Sequence, residues 1–364
     1  MKEETKTYLV KLTPQEPYFF GNEKRFTIAG ENNQGQMGNS YFIRSERTPL
    51  QTTLLGMMRY ILMPDKDYVY VGKNEKAIGK ESFDIECLAQ DFGVIENISP
   101  LFLMKGEDKY VVTPFDCVND KKKQSEKDDE ENKKNYFYTP FKKYQEIETD
   151  SGKKWYATEF EVKEDIECSY VRLSDKKIVK AGDIFGTEVR TGNKKVTRRK
   201  KDEKTEEKGF FKKEYCYLKD GFIFAFYVTL SDESYLTRRK TQVFLGQGKS
   251  LFTLEFIGQE DTLKKEVAEI LPENICYCIG DVYTMSEIYN CCAFSITRTR
   301  DYRRYITGEN GKIQKGSVLY KLIKAGSVFI VSNKENFNEQ IEKANCQKIG
   351  WNILVENKKQ EGKS

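Results

Sequence analysis

The run Phe222-Ile-Phe-Ala-Phe-Tyr-Val-Thr-Leu230 decides the architecture of this chain. In an extended backbone Phe222, Phe224, Phe226, Val228 and Leu230 share one side, and Ile223, Ala225, Tyr227 and Thr229 share the other. Both sides are apolar, so this strand belongs inside a sheet that is covered on both faces. Outward from it, residues 251–257 read as a further strand, and residues 7–12 as the first strand of the chain. Residues 261–271 read as a short helix with Leu263, Val267 and Ile270 on one face. Residues 327–331 and 349–355 read as strands around a helix that opens at Ser332-Asn-Lys-Glu335, a stretch with the form of a capping box. Towards the N-terminus Leu50, Leu54, Leu55, Met58, Ile61 and Leu62 fall at helical spacing, with Thr48 as N-cap, Pro49 in the first turn and Pro64 as the stop. A shorter helix is predicted over residues 83–92, where Ile85, Leu88 and Phe92 align before Gly93. Residues 14–45 are rich in Gly, Asn and Gln and read as one long loop. Strands and helices interleave without the regularity of a barrel, which is an α+β pattern.

The chain has 364 residues, 38% of them hydrophobic and 32% charged, which suits about two domains with real cores. Its 61 basic and 57 acidic side chains leave a net charge of +4, so a histone-like polycation is excluded. The charge is local: residues 190–213 hold 11 Lys or Arg against 4 Asp or Glu, an excess of +7 that leaves −3 for the remainder. Residues 121–135 form a mixed-charge tract that reads as a solvated insertion or as a segment facing a protein neighbour. Histidine is absent, which removes the commonest general base, His-activated nucleophiles and imidazole metal sites. Nine scattered cysteines fit a reducing cytoplasm better than a disulfide framework. The longest charge-free apolar run, residues 221–231, falls far short of the ~20 residues of a membrane span. The opening Met1-Lys-Glu-Glu4 lacks the apolar core of a signal peptide.

Several stretches carry candidate chemistry. Gly246-Gln-Gly-Lys-Ser250 ends like a phosphate-binding loop, but Val243 stands where the first glycine of that pattern belongs. It reads instead as a glycine turn that lets backbone approach a phosphate, or as an ordinary turn. Cys276-Tyr-Cys278 and Cys291-Cys292 lack metal-ligand spacing and read as buried core thiols. Lys208-Gly-Phe-Phe-Lys-Lys-Glu-Tyr215 matches in part the aromatic strand of RNA-recognition motifs, and equally suits a charged edge strand. Basic and aromatic residues also cluster at Arg298, Arg300, Tyr302, Arg303, Arg304 and Tyr305, and at Lys24, Arg25, Phe26, Tyr41, Arg44 and Arg47. Repeated in one chain, such clusters point to phosphates gripped by cations and bases stacked on rings, as in single-stranded RNA binding.

Four segments, in this order, resemble the RAMP superfamily of CRISPR-associated RNA-binding proteins, and within it the family of third subunits of Cmr-type (type III-B) effector complexes. They are Pro17-Tyr-Phe-Phe-Gly-Asn-Glu-Lys-Arg-Phe26, Pro49-Leu-Gln-Thr-Thr-Leu-Leu-Gly-Met-Met-Arg59, Glu188-Val-Arg190 with Gly192 followed by Leu245-Gly-Gln-Gly-Lys249, and Ala325-Gly-Ser-Val-Phe329 with Ile349-Gly-Trp-Asn352. Gln247 and Lys249 depart from the double glycine and arginine of the family's turn, and Leu50-Gln51 from its usual Ser or Thr.

The resemblance implies an α+β fold of two tandem ferredoxin-like (βαββαβ, RRM-like) domains with long inserted loops. The boundaries expected are 1–258 for the first domain, with insertions near 121–135 and 190–213, 259–356 for the second, and 357–364 for a tail. It implies no catalysis, no cofactor and no metal. It implies a cytoplasmic subunit of antiviral defence that caps one end of the complex and holds the repeat-derived 5′ tag of the CRISPR RNA. Its neighbours would be the large polymerase/nuclease subunit and a backbone RAMP subunit, with target RNA met indirectly and no membrane. The residues expected on RNA are Lys24, Arg25, Arg44 and Arg47 around the first loop and Arg59 on the helix. Arg190, Lys194, Lys195, Arg198 and Arg199 on the hairpin, and Gly246, Gly248, Lys249 and Ser250 in the turn, complete the set. The equivalent Csm-type (type III-A) subunit, a RAMP endoribonuclease and a protein scaffold are the other readings of the same residues.

Overall fold

The structure is a computed structural model that describes residues 5–21, 26–31, 37–64, 73–118, 136–150, 152–157, 169–193, 210–219, 221–307 and 313–357. It is a strand-rich mixture of sheets and short helices. The Phe222–Leu230 strand lies inside a 10-stranded sheet, with Lys6–Pro14 on one side and Phe102–Lys105 and Ile95–Ile98 on the other. Beyond Lys6–Pro14 come Ser250–Gly258 and the edge strand Lys240–Leu245. In the other direction the sheet continues through Asp108–Val112, Ser169–Arg172, Lys177–Lys180 and Tyr136–Phe137.

Alternation along the central strand divides the interior in two. Phe222, Phe224, Phe226, Val228 and Leu230 enter one hydrophobic cluster, with Leu54, Leu55, Met58 and Leu62 of the helix Gln51–Leu62. Ala225 and Tyr227 enter the opposite cluster, with Leu263, Val267 and Ile270 of the helix Leu263–Ile270, and Ile223 packs against it. Burial of each such aromatic contributes about 1.5–3 kcal/mol, so this strand anchors both halves.

A second sheet of four antiparallel strands runs Cys292–Ile296, Val328–Val331, Cys276–Cys278, Leu354–Glu356. Cys276 and Cys278 share a buried face there with Cys291, Cys292 and Phe329. Burial pushes the Cys292 thiol up to about 12 and the Cys278 thiol well above its ordinary value. Cys117 and Cys346 are also buried and pushed up to about 12, whereas Cys87 is exposed. No described helix is long and apolar enough to cross a membrane.

Several expected elements differ. Residues 14–45 are not one loop: Phe26–Glu31 and Met37–Arg44 pair as antiparallel strands. Their Gly and Asn content hides the alternation that marks a strand. The first helix is capped by Leu50, without a side-chain bond, and not by Thr48. Leu50 is extended (φ −71°, ψ 153°), so Pro49 precedes the helix instead of opening its first turn. Residues 83–92 form turns and not a helix, because polar side chains take the backbone groups that a helix needs. Asp84 accepts from Glu86 N–H at 3.1 Å, Gln90 accepts from Asp84 N–H at 2.8 Å, and Asn345 accepts from Gln90 N–H at 2.6 Å. A helix does form earlier, at Lys73–Ile78. The C-terminal helix Lys334–Ile341 is capped by Asn333, whose side chain accepts from Asn336 N–H at 3.1 Å, while Ser332 donates to the Cys291 carbonyl. The last strand is only Leu354–Glu356, because Gly350 (φ +86°) and Asn352 (φ +52°) turn the chain before it. The insertion at 121–135 lies outside the described residues.

Candidate nucleic-acid interface

The opening aromatic loop, the hairpin and the glycine turn are far apart in the chain, and they meet around Phe19. The hairpin consists of Phe185–Asn193 and Phe210–Leu218, and Met37–Arg44 and Phe26–Glu31 extend it to a four-stranded sheet. Tyr18 pairs with the inner strand Phe210–Leu218 beyond the end of Met37–Arg44: it donates its N–H to the Cys216 carbonyl at 2.7 Å and accepts from Cys216 N–H at 2.9 Å. Alternation then sends Tyr18 and Phe20 into the core and Phe19 onto the other side of the sheet. Phe19 packs there against Tyr215 with ring centroids 5.6 Å apart, and the Lys213 ammonium sits 5.3 Å from the Phe19 ring. Phe19 is fully buried because the glycine turn closes over it.

The turn joins the strands Lys240–Leu245 and Ser250–Gly258. Gly246 needs its left-handed backbone (φ +76°), and an added Cβ would lie 2.3 Å from the Phe19 carbonyl oxygen. That carbonyl accepts the Gln247 N–H at 3.1 Å. Gly248 is under no such constraint, since an added Cβ would meet the Tyr215 ring at an ordinary 3.4 Å. Lys249 is held at φ +51° and is exposed. Ser250 is buried and donates its hydroxyl to the Pro17 carbonyl at 3.2 Å.

Arg190 faces Lys213 across the hairpin and shares its side of the sheet. Its guanidinium stacks 4.6 Å from the centre of the Tyr215 ring and donates to Glu188 at 2.8 Å. That bond holds the Glu188 carboxyl below its usual range and raises Arg190. Lys249, Arg190 and Lys213 thus lie around a glycine turn and two aromatic rings, cations suited to phosphate oxygens, while the Gln247 and Lys249 N–H groups are already given to the Phe19 and Gly246 carbonyls. Among the described residues no group of three or more Cys, Asp or Glu is placed to hold a metal ion.

A family model, CRISPR-associated protein (Cas_Cmr3), matches residues 10–275. The chain belongs to the Cas_Cmr3 family. That span contains the aromatic loop, the hairpin and the glycine turn, so the convergence around Phe19 lies within the family's own region. Two of the solved chains similar to it illustrate the likeness. One, from "Cryo-EM structure of the Type III-B Cmr-beta bound to cognate target RNA", is 13% identical over 96% of each chain, with a TM-score of 0.49. The other, from the Cmr-beta structure "bound to cognate target RNA and AMPPnP, state 1", is 12% identical over 95% of each chain, with a TM-score of 0.48. No curated protein matches.

The remaining expected residues lie as follows. Arg44 is exposed on the opposite side of the hairpin sheet, 5.3 Å over the Phe42 ring and 4.0 Å from Glu214. Arg47 is exposed, and its carbonyl accepts the Tyr18 hydroxyl at 2.8 Å. Arg59 is away from this group: it donates to the Glu81 carbonyl at 2.9 Å and lies 5.3 Å over the Phe92 ring. Lys24, Arg25, Lys194, Lys195, Arg198 and Arg199 lie outside the described residues. The Arg298–Tyr305 cluster disperses. Arg300 is half-buried and paired at 3.1 Å with both Asp281 and Glu46, and Arg304 pairs with Asp84. Sequence reasoning missed Phe19 as the hub and Lys213 and Tyr215 as its covers, although all three stand in stretches it singled out.

Proposed function

We propose that this chain is a non-catalytic RNA-binding subunit of a type III-B (Cmr) CRISPR effector complex, at one end of the assembly, holding the repeat-derived 5′ tag of the CRISPR RNA. The observation that carries the reading is the meeting of the aromatic loop, the Glu188-Val-Arg190 hairpin and the glycine turn around Phe19, in a chain of the Cas_Cmr3 family. In this reading Arg190, Lys213 and Lys249 neutralise phosphates, the turn supplies close backbone approach, and the large polymerase/nuclease subunit and a backbone subunit complete the groove. Two ferredoxin-like modules, divided near residue 258, are part of the proposal. The antiparallel order of the second sheet, with its first strand between its third and fourth, supports the C-terminal one. The buried thiols suit a reducing cytoplasm.

The test is filter binding of tag-bearing RNA to the reconstituted complex across a salt series. Reversing Arg190 and Lys213 to Glu should weaken binding and flatten the salt dependence by about 0.7 in log–log slope for each phosphate that is no longer neutralised. An unchanged affinity and slope would remove this surface from the RNA path. Incubation with labelled repeat RNA should leave the RNA intact; accumulating cut product would favour an endoribonuclease.

A further inference from the structure

Two residues beyond the Phe19 group, the hairpin carries a feature that phosphate binding does not use. Gly186 and Tyr217 are cross-strand partners. Cys216 is buried in the first core cluster and Leu218 packs against it, so Tyr217 points to the opposite, outer side of the sheet. Its ring lies across the Gly186 backbone: a Cβ added there would fall 2.1 Å from the Tyr217 Cζ atom and 2.3 Å from its hydroxyl oxygen. Gly186 has no positive φ, so its backbone does not require glycine; a side chain there would instead push the Tyr217 ring aside. One face of the ring is thus backed by the sheet. The residue is nonetheless 39% exposed.

We propose that Tyr217, laid over Gly186, is a stacking platform for one base of a single-stranded RNA. This rests on the RNA-binding reading above and extends it from the phosphates to the bases. The neighbours on the same side of the sheet favour that occupant. Glu188 and Tyr215 follow Gly186 and Tyr217 at the next paired position, and Arg190 and Lys213 at the one after. The Tyr215 ring is already covered by the Arg190 guanidinium and touches Phe19, whereas Tyr217 offers an outer face. The strand pair therefore presents a ring at one end and cations at the other, complementary to a base and to the phosphates that follow it. A pre-flattened ring needs no ordering when the base arrives, which lowers the entropic cost of stacking.

The experiment measures the binding of single-stranded RNA to the reconstituted complex, with the RNA intact or carrying one abasic nucleotide scanned along its length. In the unaltered protein, one abasic position should weaken binding about 5- to 150-fold, the range of a lost base–aromatic stack. In Tyr217→Ala the intact RNA should bind that much more weakly, and the abasic penalty at that position should vanish. Tyr217→Phe should keep both the affinity and the penalty. Gly186→Val, which displaces the ring without removing it, should behave like the alanine variant. Tight binding by the unaltered protein, with the same abasic profile in Tyr217→Ala, would overturn the platform and leave the phosphate site standing. Failure of the unaltered complex to bind RNA would overturn both.

Discussion

Individual glycines in this chain answer to different demands, and substitution separates them. Gly350 combines φ +86° with an added-Cβ position 2.0 Å from the Gln51 side-chain nitrogen and 2.7 Å from the Ser99 carbonyl. That nitrogen is the one that donates to the Ser99 and Ile349 carbonyls at 2.7 and 2.8 Å. Gly350→Ala should therefore cost on the order of 2–3 kcal/mol in chemical denaturation, from backbone strain and a displaced buried amide. Gly248 has neither constraint. Gly248→Ala should change stability by no more than about 0.5 kcal/mol, and a loss of RNA affinity in that variant would then report close approach of the ligand to the turn. The choice of Gln51 is also accounted for at this scale. Its amide reaches two carbonyls that a hydroxyl would be too short to bridge.

Among the elements, the legible ones were those whose apolar residues repeat without polar competition. The central strand and the helices at 51–62 and 263–270 are of that kind, and each lies within a few residues of its expected place. The segment at 83–92 has helical spacing, yet Asp84, Gln90 and the distant Asn345 claim its backbone groups, and a partner some 250 residues away leaves no local signal. The same holds for the site. Its glycine turn and Arg190 were visible as residue types, but Phe19 becomes the hub only once Tyr18 pairs with Cys216. For the C-terminal helix, the capping box named the right neighbourhood and the wrong residue. Asn333→Ala should destabilise the chain by about 1 kcal/mol and Asn333→Asp should not, as read from urea midpoints.

The molecule as a whole is joined across the expected boundary at residue 258. Tyr302, Tyr320, Cys346 and Trp351 sit in the same cluster as Leu54 and Phe226. Arg300 ties Asp281 to Glu46, and the Tyr277 hydroxyl donates to the Val112 carbonyl at 2.5 Å. Asp116 belongs to this level because it sets a pH dependence for the folded state. It is fully buried, with the Tyr138 hydroxyl donating to it at 3.1 Å, and burial raises its carboxyl to about 7. The folded state then keeps a proton that the unfolded chain releases near its ordinary value of 3.8. This contribution is full below that value, declines by about 1.4 kcal/mol per pH unit up to about pH 7, and is flat above. Asp116→Asn should remove that part of the slope, measured as unfolding free energy from pH 4 to 8. The thiols make the same joined interior open to timing. Cys87 should react with a maleimide at once, while Cys117, Cys216, Cys276, Cys278, Cys291, Cys292 and Cys346 wait for the chain to open. Mass spectrometry after timed alkylation would then rank the layers by how often each breathes, with the native cysteines as reporters and no label to introduce.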